Sequence, residues 1–130
     1  MIVLDASAAV DLLLTTERAA AVTRAIDTTV EVHAPELLEP EVLAVVRRWV
    51  GRGWIGSDVA DRAVAELGDL AVVRHGHASL RTRIWQLRHR CTTYDACYVA
   101  LAEQLAACLV TTDRRLARAA SGLVDVVALG

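Results

Sequence analysis

Short apolar runs alternate with longer stretches of helical periodicity along the whole chain, and few folds accept that alternation. "IVLDA", "VEVHAP", "LAVVRH", "CLVTTD" and "VDVVAL" each have the length and apolar character of a buried strand. Between them lie "ERAAAVTRAID", "PEVLAVVRRWV", "SDVADRAVAELGDL", "ASLRTRIWQLRHR", "YDACYVALAEQLAA" and "RRLARAA", which read as helices. Strands separated by helices pair in parallel, and a parallel sheet needs cover on both faces. The expectation is an α/β protein: a three-layer α/β/α sandwich around a central parallel sheet. With 130 residues, no internal repeat and no long linker, residues 1–130 are read as a single domain.

Local signals refine this reading. Pro35 stops the second strand, and Pro40 is placed at the first position of the helix that carries Val42, Val45, Val46 and Trp49. Gly51 and Gly53 punctuate that helix, and Ser57 and Asp58 open the next. "YDACYVALAEQLAA" is apolar nearly throughout, so it is expected at the centre of the molecule.

Composition removes several function classes. A hydrophobic fraction of 55% argues against disorder. No apolar run has the length of a membrane span. "MIVLDASAAVDLLL" lacks the basic start of a secretory signal, and Asp5 and Asp11 interrupt its apolar stretch. The cytoplasm is the expected location. Cys91, Cys97 and Cys108 show no CxxC spacing, so neither a redox motif nor a disulfide is expected. The net charge of -2 does not mark the chain as a nucleic-acid binder. All 14 basic residues are Arg, however, with clusters at Arg81, Arg83, Arg88 and Arg90 and at Arg114, Arg115 and Arg118. Such clusters suit phosphate, and they also suit a solvated helix face.

The acids carry more information. In open parallel sheets, sites form beyond the carboxyl ends of the strands. Asp5 follows the first strand and Asp113 the fourth, while Glu41 and Asp95 stand early in the helices beginning near Pro40 and Tyr94. Four carboxylates could meet on one edge, where they would repel one another unless a cation joined them. Mg²⁺ takes oxygen ligands, shares its shell with substrate phosphate, and activates water. Each acid has a plainer role open to it. Asp5, Asp95 and Asp113 stand where helix N-caps are found, and Glu41 suits the first turn of a helix. Glu36 and Glu39 lie in the same neighbourhood as Glu41.

Four motifs in order resemble PIN-domain ribonucleases, and most closely the VapC toxins of bacterial VapBC toxin–antitoxin modules. "MIVLDASAAVDLLL" is similar to the family's opening strand, with Asp5 as its first acid and Ser7 beside it. "APELLEPEVLAVVRR" resembles the segment whose acid sits in "EV", which selects Glu41. "YDACYVALAE" places the third acid at Asp95, and "LVTTDRRLARAA" supplies Thr111 and Asp113 of a T-x-D motif. The resemblance covers nearly the whole chain. It implies a PIN fold and Mg²⁺- or Mn²⁺-dependent endonucleolytic cleavage of RNA, with tRNA or rRNA as substrate. It also implies a homodimer, and a cognate VapB-type antitoxin that neutralises it. Asp5, Glu41, Asp95 and Asp113 would hold the metal and carry catalysis, with Glu39 close enough to assist Glu41. Ser7 and Thr111 would orient a carboxylate, or else make ordinary turn hydrogen bonds. Arg114, Arg115 and Arg118 would meet the RNA backbone.

Other families lose their key residues here. A receiver module needs a Lys near the site, and the chain has none; a haloacid-dehalogenase-type phosphatase wants Asp where Ser7 stands. A dinucleotide fold wants GxGxxG after the first strand, where "DASAAV" stands. The alternative from another class is a PIN-like module that binds RNA or protein without cutting. His75 and His77 read as loop polarity rather than a metal pair, and Trp49, Trp54 and Trp85 as core and interface bulk. A mean hydropathy of +0.37 leaves apolar surface for a dimer interface and an antitoxin groove.

Overall fold

The computed structural model describes residues 1–27 and 30–130. Five strands form one sheet: β1 (Ile2–Leu4), β2 (Val32–Pro35), β3 (Val72–His75), β4 (Cys108–Thr111) and β5 (Val126–Ala128). Their order is β3-β2-β1-β4-β5, and every pairing is parallel. The helices are α1 (Ala6–Leu13), α2 (Ala19–Ala25), α3 (Leu38–Gly51), α4 (Ser57–Asp69), α5 (Arg81–Gln86), α6 (Thr93–Leu105) and α7 (Arg114–Ala120).

The sheet is buried from both sides because side chains alternate along each strand. Ile2 and Leu4 of β1 and Val110 of β4 pack in one layer with Ala8, Ala9, Leu38, Val42, Val46 and Leu67 from α1, α3 and α4. Val3 and Leu109 face the other layer, with Val99, Leu101 and Leu116 from α6 and α7. The three-layer α/β/α expectation is met. α6 is the central helix, with every residue from Asp95 to Ala102 buried. An apolar surface all round is what that position demands.

Four local expectations need correction. Pro40 is the third residue of α3, not the first, because the helix starts at Leu38; a proline in the first turn loses no intrahelical bond, so both positions suit it. Asp95 is not the N-cap of α6. Thr92 is, and its hydroxyl accepts from Asp95 N at 3.2 Å. "ASLRTRIWQLRHR" is a broken element, a short α5 flanked by single 3-10 turns at Ala78–Leu80 and Leu87–His89. His75 and His77 are structural: His75 Nε2 meets His33 Nδ1 at 2.8 Å, and His77 Nε2 accepts from Leu37 N at 3.2 Å.

β1 is the point where the chain reverses direction across the sheet. From β1 it winds towards β2 and β3, and from β4 it winds towards β5. Helices leave the two neighbours β1 and β4 on opposite faces, which opens a crevice beyond their carboxyl ends.

Candidate active site

Asp5 ends β1 at that crevice and caps α1, accepting from Ala8 N at 3.0 Å. The capping role and the site position therefore coincide. Only 4% of Asp5 is exposed. Its carboxylate is also held from the neighbouring strand: Thr111 Oγ1 donates to Oδ2 at 2.9 Å, and Ser7 Oγ lies 2.8 Å from each oxygen. Ser7 in turn accepts from Thr112 N at 3.2 Å, and Thr111 accepts from Asp113 N at 2.9 Å. The same turn hydrogen bonds that tie α1 to the end of β4 also hold the Asp5 carboxylate in one orientation.

Three donors favour the ionised form of Asp5, yet burial outweighs them and lifts its pKa to about 6. The charge of Asp113 adds to the rise. Asp113 caps α7, accepting from Arg115 N at 2.8 Å and from Leu116 N at 3.3 Å. Glu41 reaches the crevice from the first turn of α3. Burial raises its pKa, a hydrogen bond from Tyr98 opposes the rise, and the charge of Asp95 adds to it. Asp95 comes from the first turn of α6 and is 8% exposed.

All four acids line one cavity of about 180 Å³, together with Ser7, Tyr98 and Arg115. Glu39 is not among them. It pairs with Arg74 at 2.6 Å, and Arg74 is pinned to the carbonyls of Leu67, Leu70 and Val72. Glu39 is therefore not placed to assist Glu41.

Two further residues stand out in the geometry: Tyr98, which motif reading passed over, and Arg115, which it assigned to the RNA backbone. Tyr98 is fully buried in α6, and its hydroxyl donates to Glu41 Oε1 at 2.6 Å. It follows Asp95 by three residues, one turn along the same face, and that spacing was its signal. Arg115 is exposed, but its guanidinium reaches over the mouth of the cavity to two of the acids. Its guanidinium donates to Asp95 Oδ2 and lies 3.4 Å from Asp113 Oδ2, bridging the two acids. Arg114 and Arg118 are exposed on α7.

A hard divalent cation suits a donor set made only of carboxylate oxygens. Burial raises Asp5 and Glu41 most, with the charge of Asp113 adding at Asp5 and that of Asp95 at Glu41, and a cation in the cavity would offset both effects. Arg115 supplies some positive charge to Asp95 and Asp113. Among the described residues no three ligating side chains already stand in one coordination shell. Asp95 and Asp113 would hold a metal in competition with the guanidinium that now bridges them.

Known proteins match both the sequence and the fold. A family model of the PIN domain matches residues 2–122. Ribonuclease VapC3 of Mycobacterium tuberculosis (strain ATCC 25618 / H37Rv) is 41% identical over 118 residues, which is 91% of this chain and 86% of the relative. The crystal structure of Mycobacterium tuberculosis VapC20, a Sarcin-Ricin loop cleaving toxin, superposes with a TM-score of 0.70 at 19% identity, covering 92% of this chain and 95% of that one. VapBC2 from Rickettsia felis, bound to a DNA fragment from its promoter, gives a TM-score of 0.71 at 11% identity with 100% of each chain covered. At such identities the two structures speak for the fold.

Proposed function

The chain belongs to the PIN domain family, and from that we propose that it is the endoribonuclease toxin of a VapBC-type toxin–antitoxin pair. The observation that carries the reading is the convergence of Asp5, Glu41, Asp95 and Asp113 on one cavity at the reversal point of the sheet. These four acids would hold a divalent cation, Mg²⁺ or Mn²⁺ in its place. Once bound, the metal supplies an acidified water and charge stabilisation for the phosphodiester.

The protein groups have separable tasks. Ser7, Thr111 and Ala8 N lock Asp5 in one orientation, so its oxygens meet a ligand without searching rotamers. Tyr98 does the same for Glu41. One of the four carboxylates would also receive the proton of the attacking water. Arg114 and Arg118 offer exposed guanidinium groups to the RNA backbone. The substrate proposed is tRNA or rRNA, the inhibitor a VapB-type antitoxin, the assembly a homodimer, and the compartment the cytoplasm.

The test is RNA cleavage by purified wild type and Asp5→Asn with Mg²⁺, with Mn²⁺ and with EDTA. Discrete new 5′ ends that need metal and Asp5 support the reading. The Arg115 bridge favours one alternative, a module that binds RNA without cutting it. Folded wild type that binds RNA and leaves it intact under every metal condition would establish that alternative.

A further inference from the structure

The Arg81–Arg90 cluster divides in the folded chain. Arg83 forms a two-point ion pair with Glu103, at 2.8 and 3.0 Å. Arg90 donates to the carbonyls of Ala119 and Ser121 and so ties the α5 region to the end of α7. Arg81 and Arg88 are exposed, and among the described residues neither has a carboxylate partner. Arg88 instead lies over the ring of Trp85, 4.5 Å from its centroid. Trp85 is 66% exposed, so it supplies none of the core bulk expected of it. The other two tryptophans pack on each other. Trp49 packs against the first core layer, and Trp54 meets its ring edge at 5.9 Å.

Trp85, Arg81 and Arg88 line a groove of about 440 Å³ together with Ile84 and Thr93. Thr93 also lines the open cleft that contains Glu41, Tyr94, Asp95 and Arg115. The groove and that cleft therefore share Thr93 as a common wall, and the cleft in turn shares Glu41, Asp95 and Arg115 with the four-acid cavity. Tyr94, one residue from Asp95, lines the same cleft and is 62% exposed. Arg88 also donates to the Trp85 carbonyl at 2.9 Å, and an indole beside two guanidinium groups that lack a carboxylate partner fits a ligand that is flat and apolar in one part and anionic in another. An unpaired nucleotide has both parts, its base for the ring and its phosphate for the arginines. A base held in a duplex cannot offer its face to Trp85.

We propose that the Trp85–Arg88 groove, with Arg81 at its rim, is a stacking subsite for an unpaired RNA base next to the bond cleaved at the four-acid site. The subsite selects single-stranded or looped segments by stacking rather than by reading base edges. This rests on the ribonuclease reading above and narrows its substrate to RNA unpaired beside the scissile bond.

The test measures binding in EDTA, so that nothing is cut, of a short fluorescein-labelled single-stranded RNA of mixed sequence by fluorescence anisotropy. Trp85→Leu keeps apolar bulk without a π face and should weaken binding by roughly 5- to 150-fold. Trp85→Phe should restore most of the loss, and Arg88→Gln should weaken binding and flatten its salt dependence. Trp54→Leu is the control. That residue is 60% exposed and also carries an arginine over its ring, but it lies past the far end of α3 from Glu41 and should change nothing.

Circular dichroism and mass by light scattering should match wild type throughout. Unchanged affinity in Trp85→Leu overturns the proposal. So does a change of oligomeric mass with RNA affinity intact, which would make the groove a protein interface. If Trp85→Leu fails to fold, unchanged affinity and salt dependence in Arg88→Gln overturn it equally. Wild type that neither binds nor cuts RNA sinks the ribonuclease reading as well, whereas wild type that cuts while every groove variant binds normally sinks only the subsite.

Discussion

At the scale of single residues, Asp5 shows how burial and function pull against each other. Its folded pKa, about 6, lies above the ordinary value of 3.8. The unfolded chain therefore releases this proton first, and Asp5 costs stability progressively as pH rises from about 4 to about 6. Metal-free Asp5→Asn should then be more stable than wild type at pH 7.5, by about 1–3 kcal/mol. The gap should close below about pH 4, where both side chains are neutral. Urea unfolding at the two pH values reads this directly, and a less stable Asp5→Asn at pH 7.5 would mean that the hydrogen bonds of Asp5 outweigh its burial.

Tyr98 and Arg115 give two more tests at this scale. Tyr98→Phe removes a bond that favours ionised Glu41. The acid limb of the cleavage pH profile should move to higher pH, with a stability loss of about 1 kcal/mol. Arg115→Gln leaves Asp95 and Asp113 without their shared cation. Isothermal titration should show tighter Mn²⁺ binding, while the melting temperature of the metal-free protein falls. A loss of metal affinity would show instead that Arg115 helps build the site.

At the scale of elements, the alternation of strands and helices was legible because each run has one period throughout. The boundaries were less so. Thr92 and Asp95 form a T-x-x-D pair at the start of α6, which is a capping signal in its own right. Reading Asp95 alone missed it. The break in α5 has no comparable mark. Its apolar residues keep a helical spacing while the backbone tightens into 3-10 turns at both ends, so periodicity cannot tell the forms apart. The site acids were legible by type and position, but the partners of Tyr98 and Arg115 were not. Their roles depend on contacts across the cavity, with Glu41 lying 57 positions from Tyr98 and Asp95 lying 20 from Arg115. α6 also carries a defect that a substitution can mend. Ala106 ends it with a φ of +51°, in the left-handed region that glycine occupies without a Cβ clash. Ala106→Gly should stabilise the protein by about 0.5–1 kcal/mol in thermal or urea unfolding.

At the scale of the whole molecule, apolar side chains remain outside. Leu43 on α3 and Val64 on α4 are exposed, on the same layer as Trp54. If that layer is the face of a homodimer, light scattering should give twice the 14.0 kDa of one chain, and Leu43→Lys should lower it. No helix among the described residues is long and apolar enough to cross a membrane.

The carboxylates at positions 5, 41, 95 and 113 come from four elements dispersed along the chain, and they meet only because β4 docks beside β1. No fragment ending before β4 contains the site, so a ribosome still making this protein carries nothing able to cut RNA. A chain proposed to disable translation thus completes its site only when its own translation is nearly done, through the order of its strands alone.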